Sequence, residues 1–386
     1  MSKARHFVLA AGGTGGHMVP AAALAAELIR RGHSVALISD ERGVRFPGLF
    51  DGIETHILPV SRLAGGPIGW ARAGVNMLRG RSMTKRLFRK QRPAAVIGFG
   101  GYPAYPALLG AFALGVPTAV HEQNAVLGRV NRLVGGRVAA IATSYPDVER
   151  LKDSWRGKTH LVGNPVRDSV LSLRTRPYPL LEEDGIFRVL VTGGSQGASI
   201  LSQVVPDGLA LLPISFRRRL QVTHQARVED IDQVRAKYAE LSIAAELATY
   251  LPDLPEQLAW AHLVIARAGA STLAELTTAG RPAILVPLPS ATDDHQTANA
   301  REMTKAGGAR TIDQRQFTPI ELAKQMQKLG LDPAALQNAA GRARSCGRPD
   351  AARDLADLVE SLDAPKSDIM VGLNRPIKFG DKAAYA

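Results

Sequence analysis

Short apolar runs and helix-length mixed segments alternate along almost the whole chain. His6-Phe7-Val8-Leu9-Ala10 leads into the turn Gly12-Gly13-Thr14-Gly15-Gly16, and an Ala/Leu-rich segment from Pro20 to Arg31 follows, which Gly32 caps. Further apolar runs lie at 35–38, 55–58, 95–97, 118–120 and 138–142. Strands alternating with helices predict a parallel α/β sheet. At Phe187-Arg188-Val189-Leu190-Val191-Thr192 the pattern restarts, with Gly193-Gly194-Ser195-Gln196-Gly197-Ala198 standing where the first turn stood. The second series continues through runs at 220–223, 243–249, 263–266, 283–286 and 309–312. Gly193 follows Gly12 by 181 positions, about one domain length, so two Rossmann-like halves are the expected architecture. Gly163-Asn164-Pro165-Val166-Arg167 is the expected hinge, and the segment from about 335 to 362 reads as one or two amphipathic helices.

Composition narrows this picture. The 386 residues include one cysteine, Cys346, which rules out an intramolecular disulfide and fits a reducing cytoplasm. No secretory signal is visible, since glycines begin directly after the first apolar run. From Ala94 to Val120 no residue is charged, a length that would span a bilayer. Yet Gly98, Gly100, Gly101, Pro103, Pro106, Gly110, Gly115 and Pro117 interrupt any continuous helix, and a strand, a glycine loop, a short helix and a second strand account for it better.

A strand ending in a glycine turn that opens a helix presents unpaired backbone N–H groups and the positive end of a helix dipole, a pairing that binds phosphate. The turns at Gly12 and Gly193 have this context, and Gly98-Phe99-Gly100-Gly101-Tyr102 follows a third apolar run. Each alone fits close helix-on-strand packing equally well. Together they predict a diphosphate in a cleft between the halves. No Gly-Lys-Ser/Thr follows either main turn, which disfavours a kinase or ATPase, and the glycine doublets depart from the dinucleotide spacing, leaving hydride transfer a minor alternative.

His17 stands where the first turn meets its helix, placed for general-base work near neutral pH. His121-Glu122-Gln123-Asn124 puts four polar residues at the end of a buried run, read either as a site or as a structural hydrogen-bond knot. The segment Arg267 to Glu275 again follows an apolar run, and its small residues would admit a ring while Glu275 accepts from a ribose. Asp293-Asp294-His295-Gln296-Thr297-Ala298-Asn299 offers amides and carboxylates suited to sugar hydroxyls; a metal reading is disfavoured because adjacent helical residues do not face one point.

Charge supplies the last cue. The chain carries 48 Lys+Arg against 35 Asp+Glu, a net charge of +13. Between Arg62 and Arg92 lie nine Lys/Arg and no Asp or Glu, interleaved with Ile68, Trp70, Val75, Met77, Leu78, Met83, Leu87 and Phe88. Such a stretch reads as attachment to an anionic membrane surface. Nucleic acid is the competing partner, disfavoured by few aromatics and no recognised motif, and a solvated helix is the bland alternative.

Taken in order, Gly12-Gly13-Thr14-Gly15-Gly16-His17 with Pro20, Gly100-Gly101-Tyr102, His121-Glu122-Gln123-Asn124, Gly163-Asn164-Pro165-Val166-Arg167, Gly193-Gly194-Ser195-Gln196-Gly197-Ala198 and the Glu275 and Gln296 segments closely resemble the MurG family, from about residue 5 to residue 360. The resemblance implies an α/β GT-B glycosyltransferase, two Rossmann-like domains facing across a cleft. It would move GlcNAc from UDP-GlcNAc to the MurNAc C4 hydroxyl of undecaprenyl-diphospho-MurNAc-pentapeptide, with inversion, making lipid II for peptidoglycan. It implies an acceptor- and membrane-binding domain over 1–163, a UDP-GlcNAc domain over 164–340, helices over 341–363 packing back on the first domain, and a tail over 364–386. Carried over by position, Thr14, Gly15, Gly16 and Asn124 line the donor-sugar and acceptor side. Arg167 and Ser195 hold the phosphates and Leu251 lies against the uracil. Ala270, Ser271 and Thr272 take the nucleoside, with Glu275 on the ribose, while Gln296 and Asn299 read the GlcNAc hydroxyls; His295 stands where some relatives have a second glutamine. His17 is the expected base, with Glu122 or a water held by His121 as alternatives. No metal and no cofactor is implied, because N–H dipoles and Arg167 can meet the leaving diphosphate. The expected place is the cytoplasmic face of the inner membrane, peripherally attached, with no nucleic-acid partner. A related enzyme with another acceptor, or a UDP-sugar epimerase of similar fold, is the rival reading.

Overall fold

The computed structural model describes residues 4–43, 48–59, 66–182, 184–194, 197–330 and 332–363. The first half builds a seven-stranded sheet from β1 (His6–Ala11), β2 (Ser34–Ser39), β3 (Glu54–Ile57), β4 (Ala95–Gly100), β5 (Thr118–Glu122), β6 (Ala140–Thr143) and β7 (Thr159–Leu161). Its order is β3-β2-β1-β4-β5-β6-β7, with every pairing parallel. The second half builds six strands, β8 (Phe187–Thr192), β9 (Leu220–Gln225), β10 (Ala244–Ala248), β11 (Leu263–Ala266), β12 (Ala283–Leu285) and β13 (Ala309–Thr311), in the order β10-β9-β8-β11-β12-β13, again all parallel. In both sheets the first strand in the chain sits centrally and the order reverses beside it. That reversal opens a crevice at the carboxyl ends of the strands, where ligands bind in such sheets.

Side chains of β1 alternate between two cores. Phe7, Leu9 and Ala11 pack beneath the helix Gly15–Arg30, whereas Val8 and Ala10 face the helices Gly66–Lys90 and Ala104–Phe112. Burial on both faces explains why these strands read as unbroken apolar runs rather than as alternation. The short edge strand β7 carries the sequence Thr159-His160-Leu161, without an apolar run, and gives no strand signal in the sequence. The uncharged stretch from Ala94 to Val120 divides into β4, the helix Ala104–Phe112 and the start of β5. Among the described residues no helix is long and apolar enough to cross a membrane.

The C-terminal helices separate. Pro333–Ser345 packs with the second half, placing Leu336 and Ala343 in its cores, so residues 341–345 do not lie on the first domain as expected. Ala351–Ser361 does rest there, burying Leu355, Leu358 and Val359 beside Phe7 and Leu28. Arg31 fixes it by pairing with Glu360 at 2.5 Å and Asp357 at 2.6 Å, and His33 Nε2 lies 2.6 Å from Glu360 Oε1. The chain therefore crosses between the halves twice, once at 162–187 and once at 346–350. The expected tail over 364–386 lies outside the described residues.

Candidate active site

Two glycine turns and a third helix start meet at one cavity of about 1130 Å³ between the sheets. The helices Gly15–Arg30, Ser199–Ala210 and Ala270–Ala279 all begin at its wall, and none has a side-chain N-cap. Their first-turn N–H groups are thus available to a ligand, and three helix dipoles converge there with their positive ends inward. The turns are held from behind. Gly13 N donates to Asp40 Oδ1 at 3.2 Å, and Gly194 N donates to Thr192 Oγ1 at 3.2 Å, the hydroxyl of which donates to Gln225 Oε1 at 2.7 Å. Gly101, at φ 78°, packs so close that a Cβ would come within 2.6 Å of the Gly12 carbonyl oxygen. Only glycine permits that approach of β4 to the first turn.

Thr14, Gly15, Gly16 and His17 line the cavity. His17 Nδ1 lies 2.9 Å from the Gly12 carbonyl, which can only accept, so Nδ1 carries the proton and Nε2 keeps its lone pair. Burial pushes the His17 pKa below the ordinary imidazole value, against the opposing pull of the Gly12 bond and Glu122. A neutral imidazole with a free Nε2 at a cleft is equipped to accept a proton.

The residues named as alternatives have other work. Glu122 Oε1 accepts from Asn124 N at 3.1 Å and Asn124 Nδ2 at 3.2 Å, while Oε2 accepts from Gly128 N at 2.7 Å and Asn131 Nδ2 at 2.8 Å. Four donors saturate both oxygens, so the carboxylate organises the loop after β5 and is poorly placed as a base. His121 is fully buried, with Nε2 bonded to the Gly163 carbonyl at 2.9 Å and Nδ1 to Gln123 Nε2 at 3.0 Å. Burial brings its pKa down to about 4. Both nitrogens are occupied, so it holds no catalytic water; it ties β5 to the start of the crossing segment, where Gly163 takes φ 93°.

On the opposite wall, Ala270, Ser271, Thr272, Glu275 and Gln296 line the cavity, as does Leu251, nine-tenths buried beside the exposed Tyr250. Arg167 Nη2 donates to Glu275 Oε1 at 3.0 Å, so two residues expected on different parts of a ligand bond each other here. Burial raises the Glu275 pKa, and Arg167 works against that. Arg167 Nε and Ser271 Oγ are buried at the wall without a partner among the described residues. Gln296 Oε1 accepts from Ala268 N at 3.2 Å and Leu288 N at 3.0 Å, and His295 also reaches the cavity. Ser195 lies outside the described residues.

Asn299 departs from the expectation. It is 1% exposed and lies off the cavity, receiving Ala125 N at 2.8 Å on Oδ1 and donating through Nδ2 to Asn124 Oδ1 at 3.1 Å and to the Ala268 carbonyl at 3.2 Å. Its amide is spent joining the halves and orienting Asn124, leaving none for a sugar hydroxyl. The sequence reading gave no role to Tyr102, Asn131 or Tyr250, which all line the cavity, nor to Arg267, whose guanidinium donates to the Val286 and Pro287 carbonyls and to Gln314. Their signal was position: each stands within a few residues of a strand's carboxyl end or of the loop it opens.

The comparisons agree with this geometry. Residues 7–143 match the glycosyltransferase family 28 N-terminal domain and residues 188–357 its C-terminal domain. The chain is 62% identical over 362 residues to the UDP-N-acetylglucosamine–N-acetylmuramyl-(pentapeptide) pyrophosphoryl-undecaprenol N-acetylglucosamine transferase of Zymomonas mobilis, covering 94% of each, and 50% identical over 352 residues to that of Rhodospirillum centenum, covering 91% of this chain and 93% of the relative. Among solved structures, Acinetobacter baumannii MurG superposes with a TM-score of 0.75 at 29% identity, covering 92% of this chain and 99% of that one. A UDP-N-acetylglucosamine 2-epimerase from Listeria monocytogenes superposes at 0.67 with 14% identity, covering 93% and 96%, a likeness of fold alone.

Proposed function

The chain belongs to the MurG family within glycosyltransferase family 28, a GT-B glycosyltransferase, and from that premise we propose how its own residues carry out the transfer. The enzyme transfers N-acetylglucosamine from UDP-GlcNAc to MurNAc-pentapeptide on undecaprenyl diphosphate, the step that makes lipid II for peptidoglycan. UDP-GlcNAc lies against the second half, with its diphosphate at the starts of the helices Ser199–Ala210 and Ala270–Ala279 beside Arg167. Its uracil rests by Leu251, its ribose on Glu275 and its sugar by Gln296. Arg167 gives up its bond to Glu275 when phosphate and ribose arrive, each partner exchanging one charged contact for another.

The acceptor enters from the first half, beside Thr14, Gly15, Gly16 and Asn124. His17 Nε2 takes the proton of its C4 hydroxyl as that oxygen bonds to the anomeric carbon. The bond from that carbon to the β-phosphate oxygen breaks on the opposite side, so configuration inverts, and the electron pair leaves with UDP. N–H dipoles already aimed at the diphosphate, with Arg167, meet the developing charge without reorganising. The observation that carries this reading is the single cavity with a free imidazole nitrogen on one wall and uncapped helix starts on the other.

A lipid-linked acceptor must be met at a membrane. On the helix Gly66–Lys90, Trp70, Val75, Leu78 and Met83 are exposed, as are Arg72, Arg79, Arg81, Arg86, Arg89 and Lys90, while Phe88 turns into the core. Part of the expected basic stretch, from Arg62 to Gly65, lies outside the described residues. This helix rests on the anionic face of the inner membrane, each basic residue near the surface adding about 1 kcal/mol. The deciding experiment follows UDP release from UDP-GlcNAc in detergent with and without lipid-linked MurNAc-pentapeptide. Release that requires the acceptor and collapses in His17→Ala supports the mechanism; release indifferent to His17 removes it as the base.

A further inference from the structure

At the rim of the cavity, sharing Val126 and Asp293 with its wall, the halves meet along a polar seam that the mechanism above does not use. From the first half come Ala125 and Val126, Arg132 on the helix Arg129–Val134, and the pair Glu149 and Arg150; from the second comes the segment 293–301. Asp293 Oδ2 accepts from Arg132 Nη2 at 2.8 Å, and its Oδ1 pairs with Arg150 Nη1 at 2.7 Å. Arg301 bonds Glu149 alongside, and Ala298 packs against Ala125 and Val126. Glu149 is itself anchored, its carbonyl receiving Leu127 N at 2.9 Å and its N–H reaching the Ala125 carbonyl at 2.8 Å.

The backbone is strained at the same place. Among the described residues four non-glycine positions have positive φ: Arg150 at 65°, Ser242 at 53°, Asp293 at 57° and Asp294 at 52°. Three of the four lie on this seam. Backbone strain of this kind persists only where the surroundings enforce it and gathers at clamps and switches. Here the ion pair joins two strained residues from opposite halves, and the turn it twists runs directly into His295 and Gln296 on the cavity wall.

We propose that Asp293, gripped by Arg132 and Arg150, is a positioning latch that sets the closed arrangement of the halves and brings the turn carrying His295 and Gln296 into register with Asn124 over the donor sugar. The proposal rests on the transfer reading above. Asp293 reaches the cavity wall, but its two carboxylate oxygens are taken by Arg132 and Arg150, so it acts through the residues that follow it.

Asp293→Asn tests the charge alone, because Asn accepts the left-handed backbone as readily as Asp does. With UDP-GlcNAc and lipid-linked acceptor, kcat falls about tenfold, as a misplaced reacting group demands, while the Kd for UDP, which the second half holds by itself, stays within about twofold. Arg150→Gln and Arg132→Gln each lower kcat, and either change added to Asp293→Asn costs little more, because all three act through one contact. Small-angle scattering in the presence of UDP-GlcNAc gives a larger radius of gyration for Asp293→Asn than for the unchanged chain. Wild-type kcat in Asp293→Asn, losses that simply add, or a parallel loss of UDP binding would overturn the latch. If the unchanged chain releases no UDP on adding acceptor, the transfer reading fails instead, and the scattering comparison still decides whether Asp293 closes the halves.

Discussion

The turn at Gly12 and the turn at Gly193 follow one plan, strand then glycines then helix, and serve different chemistry. Behind the first, Asp40 holds Gly13, and the helix that opens brings His17 to the wall with one nitrogen tied to Gly12 and the other free. Behind the second, Thr192 and Gln225 hold Gly194, and no titratable side chain stands at the start of the helix Ser199–Ala210. What that wall has instead is a set of charged and polar groups: Glu275 buried beside Arg167, with Arg167 Nε and the Ser271 hydroxyl unpartnered among the described residues. A shared backbone device therefore supplies N–H dipoles to both halves, and in the proposed mechanism a few side chains decide which half takes the proton and which holds the leaving group.

The sharpest way to break this division is His17→Ala. Its kcat is expected to fall by about 10²–10⁴, the usual worth of a positioned general base, with UDP affinity by calorimetry unchanged; a comparable loss of UDP binding would erase the distinction between the walls. Next in size, Glu275→Ala removes a buried acceptor and strips Arg167 of its partner. The KM for UDP-GlcNAc is expected to rise about tenfold or more, the range for hydrogen bonds involving charge, with the acceptor KM unmoved.

The pH profile separates the halves again. His17 acts neutral, and burial lowers its pKa, so the acid limb of kcat/KM lies below the unperturbed imidazole value of about 6.5. Activity that halves above that value would reject a buried neutral His17. Stability has its own acid limb. His121 has a folded pKa of about 4, below its unfolded value, so the unfolded chain binds more protons between the two. Its contribution is complete above about pH 6.5 and is lost progressively as the pH falls toward 4. The urea midpoint is accordingly expected to drop between pH 7 and pH 5, and to drop less in His121→Gln.

The smallest effect is expected outside both walls. Trp70→Glu and Leu78→Glu, on the exposed face of the helix Gly66–Lys90, should weaken sedimentation with anionic vesicles several-fold, consistent with about 25 cal/mol per Å² of apolar surface, without altering the detergent assay. Unchanged sedimentation would place the lipid contact elsewhere.

Much of this was legible along the chain. The apolar runs marked twelve of the thirteen strands, most plainly the inner ones, because strands buried on both faces by flanking helices must be apolar throughout. The glycine turns were legible for a related reason: a positive φ at Gly13 or Gly100, or the approach of Gly101 to Gly12, excludes other residues. β7 was not, since an edge strand of three residues buries too little to require a pattern. Side-chain assignments followed the same divide. Thr14 through His17 and Ala270, Ser271, Thr272 and Glu275 reach the cavity because they stand at helix starts directly after a strand end. Glu122, His121 and Asn299 look equally chemical in sequence and are occupied by the Gly128 amide, the Gly163 carbonyl and the Ala125 amide, partners between 6 and 174 positions away.

The sequence by itself determined two parallel α/β halves, the glycine turns that begin them and the family, since each depends on local backbone needs that few residues meet. Tertiary structure alone decided which polar residues remain free for a substrate. A hydrogen bond across the fold consumes a side chain as completely as a ligand would, and its partner is set by how two sheets and two returning helices pack, not by neighbours in the chain.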